Sequence, residues 1–263
     1  MERSLLKTLN LESEEIQPNV ILHILNIEKI EKSLKNYMDQ TLIEIFSKGN
    51  DSNINIVKSK LKKYFDSKKN TTLEIGSIAE FFIHLFLNLK NFKQECLYEN
   101  LEENAPKKGF DGLYTKDCET WIMESKSGSI ITKDISHQSK IQEAYKDLSN
   151  KFSGKSNNNP WQNAYFHAKI ANSEKDLLSS IKALEDMYTK GKYALIDNHN
   201  IIPCSTIFYD TSKFNHIDIN LLKPKIKSFL NGKMFKKINL ICINKKTKNL
   251  FLDYIHNKDG KRN

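Results

Sequence analysis

The chain has 263 residues, 39% of them hydrophobic and 10% aromatic, so it encodes a globular protein with a sizeable core rather than a disordered one. Its formal charge is +9, from 41 basic against 32 acidic residues, which favours an anionic partner such as nucleic acid; yet every basic residue except Arg3 and Arg262 is Lys, a bias that AT-rich coding also produces. The four cysteines (Cys96, Cys118, Cys204, Cys242) show no CxxC pair or zinc-type spacing, no apolar run approaches the length of a membrane span, and the first residues carry acids where a signal peptide has its apolar core, so a cytoplasmic protein without membrane contact is expected.

In chain order, apolar residues at helical spacing from 19 to 47 predict one or two helices, and NINIVKSKLKKYFDSKKN (53–70) predicts a short basic amphipathic helix ending in a polar break. A buried helix is expected from about Ile75 to Leu89. KQECLYEN (93–100) alternates like a strand and NAPKKG (104–109) is a loop. FDGLYT (110–115) and TWIMESK (120–126) are two strands around a tight turn. Asp134 is the expected N-cap of a helix that runs to Phe152, and residues 161–190 look helical again. IIPCSTIFYD (201–210) and KINLICIN (237–244) have the β-branched content of strands, with a helix between them that is interrupted or kinked near Pro224. There is no internal repeat and no long linker. The order implies an α/β protein, with an N-terminal helical region (1–70) and a core with a C-terminal extension (71–263) forming one compact unit.

The chemistry gathers at GFDGLYTKDCETWIMESKSGS (109–129). An acid-x-Lys triplet means little here, since composition alone yields about four or five of them. The chain has three, and only Glu124-Ser125-Lys126 ends an apolar strand with an acid on the strand before it. A turn between Asp117 and Cys118 sets Asp111 opposite Glu124, and strand alternation puts Lys126 on the same face. A shift of one residue would move Asp111 off this pairing. Two carboxylates this close repel unless a positive charge sits between them, and oxygen ligands with open water positions suit magnesium or manganese. Lys126, too cationic to ligate, would polarise an attacking water or stabilise a phosphate oxygen, as phosphodiester hydrolysis requires.

Glu80, the one acid within the apolar stretch from Ile75 to Leu89, needs a partner there and is a further candidate for the metal, directly or through water. Gln138 and Gln142, one turn apart on the next helix, are candidates for positioning a phosphate or a water. The plain alternative is a surface hairpin with weak ion pairs.

Helix with Glu80, strand, Asp111, ESK at 124–126 and then a helix with Gln138 together resemble the PD-(D/E)xK nuclease superfamily, over about residues 75–145. The resemblance implies a restriction-endonuclease-like core, a mixed sheet flanked by helices with added N- and C-terminal helical elements. It also implies magnesium-dependent cleavage of DNA, occasionally RNA. Asp111 and Glu124 would bind metal, Lys126 would be the catalytic lysine and Glu80 the helical acid. Gly109-Phe110 stands where that family's name puts a proline before the aspartate. KGFDG followed by ESKSG is similar, more narrowly, to the HamA family of nuclease subunits in Hachiman anti-phage defence, which implies a partner helicase. A catalytically silent nucleic-acid-binding or adaptor subunit is the alternative.

Overall fold

The computed structural model describes residues 2–50, 53–98, 109–210 and 212–256. In chain order the elements are α1 (Glu2–Thr8), β1 (Glu12–Gln17), β2 (Val20–Ile27), α2 (Lys32–Ser47), α3 (Ile54–Ser67), α4 (Thr72–Leu89), β3 (Lys93–Gln94), β4 (Gly112–Lys116), β5 (Glu119–Ser129), α5 (His137–Phe152), α6 (Pro160–Ile170), α7 (Lys175–Thr189), β6 (Asn200–Phe208), α8 (Ile219–Leu230), β7 (Lys237–Lys245) and α9 (Asn249–Ile255). Among the described residues the strands form one mixed sheet in the order β1-β2-β7-β6-β5-β4-β3. The centre, β2-β7-β6-β5, is parallel, and β1, β4 and β3 add antiparallel margins. This is the expected α/β class, a mixed sheet with helices on both faces.

Parallel strands covered on both faces read as continuous apolar runs, which explains the composition of β2, β6 and β7. One apolar cluster joins α2, α3, α4 and α9 to one face, through residues such as Phe65, Phe82, Met123, Ile241 and Phe251. A second joins α5, α6 and α8 to the other face, through Ile122, Ile141, Phe152, Trp161, Ile226 and Leu240. β5 therefore sends Trp121 and Met123 toward α4 and Ile122 toward α5.

The structure corrects four local expectations. Residues 20–27 are a strand rather than the start of a helix, hairpinned to β1 and paired in parallel with β7. The helix begins only at Lys32, because the run VILHILNI is apolar on both faces and fits a covered strand as well as a buried helix. The strand expected at 93–100 covers only Lys93–Gln94, and residues 99–108, with most of NAPKKG, lie outside the described residues. The N-cap of α5 is Ser136, not Asp134. Ser136 and Ser139 exchange side chain-to-backbone hydrogen bonds at 3.1 Å each way, and Asp134 has a left-handed φ of 58° before them. Finally, α8 runs through Pro224 without interruption.

α4 is apolar and long enough, by length and composition, to cross a membrane, but it lies in the first apolar cluster with Phe81, Phe82, Ile83 and Phe86 buried. In β6, Pro203 sits beside Glu124. Proline has no N–H for a ladder, and β6 and β7 leave Ile202 and Pro203 without partners in their pairing.

Candidate active site

The β4–β5 hairpin turns on Asp117 and Cys118, with φ of 49° and 60°. Two consecutive left-handed residues make a type I′ turn, whose twist matches that of the strands and fixes their register. The ladder runs from Lys116↔Glu119 to Gly112↔Met123, the expected register. Asp111 stands one step beyond the last pair. There the N–H of Ser125 has no strand partner from β4, and it donates to Asp111 Oδ2 at 2.8 Å. Gly112 lets the strands close: a Cβ there would lie 2.7 Å from Tyr114 Cε2 and 2.9 Å from Met123 Cε.

Glu124 and Lys126 share the face of Ile122, toward α5, as alternation requires. Glu124 is 2% exposed. Lys126 Nζ donates to Glu124 Oε1 at 3.0 Å and lies 2.6 Å from Asp147 Oδ2. Lys151 Nζ donates to Glu124 Oε2 at 2.5 Å. The result is a chain of alternating charge, Lys151–Glu124–Lys126–Asp147, with Asp111 beside it.

Burial, and then the Asp111 charge, raise the Glu124 pKa to about 7, against the opposing pull of Lys151 and Lys126. For Lys126 burial is the largest influence and disfavours its charge, but Glu124, Asp147 and Asp111 override it and hold its pKa above the usual lysine range. Lys126 is therefore a cationic donor, not a base. The set could offer two carboxylates to a hard divalent ion and an ammonium to a phosphate oxygen, and as it stands it is also a closed run of ion pairs.

Glu80 lies on α4, the helix of the opposite face, and its charge acts on the hydroxyls of Tyr64, Tyr98 and Tyr114. Burial is the main cause that holds the Tyr114 hydroxyl well above its usual pKa, and the charges of Glu80 and Asp111 both add to it. Among the described residues no three His, Cys, Asp or Glu side chains gather as a metal cluster. Gln138 is half-buried and Gln142 exposed. At about 100° per residue they lie roughly half a turn round α5 from Asp147 and Lys151, the side chains that reach the hairpin. Those two were missed in the sequence, where an acid and a lysine at i,i+4 look like any solvated helix pair.

A buried polar strip continues from Lys126. Ser205, its cross-strand neighbour, hydrogen-bonds His137 Nδ1 at 2.8 Å, and His137 Nε2 meets Asn244 Oδ1 at 2.9 Å. Burial lowers the His137 pKa to about 4, so this histidine is a neutral structural link between α5 and the sheet.

The family model described as HamA matches residues 8–258, nearly the whole chain. No curated protein matches it. The match spans the β1–β2 hairpin, the β4–β5 site and α9 alike, so it concerns the entire sheet rather than the short motif: the chain belongs to the HamA family.

Proposed function

We propose that this protein is a metal-dependent nuclease that hydrolyses phosphodiester bonds of DNA in Hachiman anti-phage defence, acting with a partner helicase. HamA membership supports the defence role. The observation that carries the chemistry is the hairpin register, which brings the Asp111 carboxylate to the backbone of Ser125 while Glu124 and Lys126 meet at 3.0 Å.

The donor set fits magnesium or manganese. Asp111 and Glu124 offer hard oxygen ligands, and the raised Glu124 pKa is that of a buried acid beside a second negative charge. Such an ion, when bound by these two residues, supplies Lewis-acid polarisation of a phosphate oxygen and a more acidic water. The protein supplies the rest. Lys126 donates hydrogen bonds to a non-bridging phosphate oxygen and offsets the charge that grows there. Asp147 steadies the Lys126 ammonium at 2.6 Å, and the Ser125 N–H fixes the Asp111 carboxylate. Glu80, on α4, is the further candidate for the metal, directly or through water. The excess of 9 positive charges favours encounter with the DNA backbone and makes binding salt-dependent.

One observation favours a second reading, a catalytically silent nucleic-acid-binding subunit: both Glu124 oxygens are held by lysines. The two separate on one experiment. Plasmid and linear DNA are incubated with magnesium and the wild type, Asp111→Ala, Glu124→Ala or Lys126→Ala proteins. The nuclease reading expects cleavage by the wild type alone, abolished by chelation; equal cleavage by all four sinks the assignment. Salt-sensitive DNA binding with no cleavage by any of them, alone or with the helicase, establishes the silent subunit.

A further inference from the structure

Glu124 has two carboxylate oxygens, and each is engaged by a different lysine. Oε1 accepts from Lys126, two residues away on the same strand, and Oε2 accepts from Lys151, which arrives from the last turn of α5. The two lysines are held differently. Lys126 has a second carboxylate, Asp147, at 2.6 Å. Glu124 is the carboxylate that holds Lys151, whose ammonium also lies 5.9 Å from the centre of the Phe110 ring. Phe110 immediately precedes Asp111, so Lys151 stands over the start of the segment that carries the other acid.

We infer that Lys151 is a positioning residue that gates metal entry, holding Glu124 Oε2 until a divalent cation takes that oxygen from it. This rests on Asp111 and Glu124 forming the metal site. An ammonium and a divalent ion on one carboxylate oxygen repel strongly in a buried setting, so one must give way. Lys126 is anchored by Asp147 and stays. Lys151, on a long flexible stem and 17% exposed, swings to solvent over the Phe110 ring. Its departure leaves Glu124 bound to Lys126 on one side and to the ion on the other. Lys151 therefore neutralises a buried acid pair in the resting protein and sets a threshold of metal concentration for activity, without touching the substrate.

Mn²⁺ binding, followed by the electron paramagnetic resonance signal of the free ion at pH 8.5, tests this on the full-length chain. Lys151→Met, which keeps the stem and removes the charge, is expected to bind Mn²⁺ on the order of tenfold more tightly than the wild type. Lys151→Gln repeats the measurement with a neutral polar side chain, and Lys151→Arg restores wild-type affinity. In DNA cleavage the half-saturating metal concentration falls by a similar factor while the rate at saturating metal holds. Unchanged or weaker Mn²⁺ binding in both neutral variants, with binding still lost in Glu124→Ala, overturns the gate and leaves the metal site standing. A collapse of the saturating rate with unchanged affinity makes Lys151 a catalytic residue instead and also overturns it. No Mn²⁺ binding by any of the proteins removes the site and the gate together.

Discussion

Lys126 and Lys245 lie on parallel strands with one strand between them, on opposite faces of the sheet, and have opposite fates. Lys126 stands among Glu124, Asp147 and Asp111, and its charge is held. Lys245, 0% exposed, points into the α4 face with Nζ 4.2 Å from the centre of the Phe82 ring and, among the described residues, no hydrogen-bond partner. Burial lowers its pKa to about 7, against a weak opposing pull from Asp210. A lysine's depth in the fold does not decide its chemistry; the carboxylates around it do. The first lysine keeps its charge between two carboxylates, and the second is a buried amine with no hydrogen-bond partner among the described residues.

The largest expected effect breaks the paired side. Lys126→Ala and Glu124→Ala should each lower DNA cleavage on the order of 10³-fold, read as initial rates at saturating magnesium. Lys245→Met should leave that rate unchanged, and a matching loss there would erase the contrast. The next effect is on stability. Lys245→Met should stabilise the fold by a few kcal/mol at pH 7 in chemical denaturation, because an unpaired buried ammonium or its neutralisation is costly. The folded pKa, about 7, lies below the usual 10.5. Between those values the unfolded chain binds more protons, so wild-type stability rises with pH across the window and the advantage of Lys245→Met shrinks from pH 7 to 10.

Smaller changes sharpen the paired side. Asp147→Asn frees the Lys126 ammonium without removing it, and cleavage should fall about three- to tenfold, a modest loss because Asp147 is half exposed. Cys118→Gly relieves a left-handed φ of 60° in the turn that delivers Glu124 and Lys126. It should raise stability in thermal denaturation by about 1 kcal/mol and leave cleavage untouched.

The site's frame was readable because a two-residue turn and a period of two leave little freedom: once Asp117 and Cys118 form the turn, Asp111, Glu124 and Lys126 follow. α3 and α4 were readable from helical periodicity. β2 was not, since a strand covered on both faces loses its alternation and VILHILNI fits either element. Lys151 and Asp147 were hidden for another reason. In a chain so rich in lysine, a pair four residues apart on a helix carries no signal until the helix is docked, and docking also turned the flank with Gln138 and Gln142 away from the hairpin.

We propose that Asp111 and Glu124 bind a divalent cation beside Lys126. A crystal soaked in manganese, measured for anomalous scattering, tests it most directly. One strong peak is expected about 2 Å from a carboxylate oxygen of each acid, with Lys126 still on Glu124 and Lys151 withdrawn from it. A map with no peak there, and both lysines still holding Glu124, would contradict it.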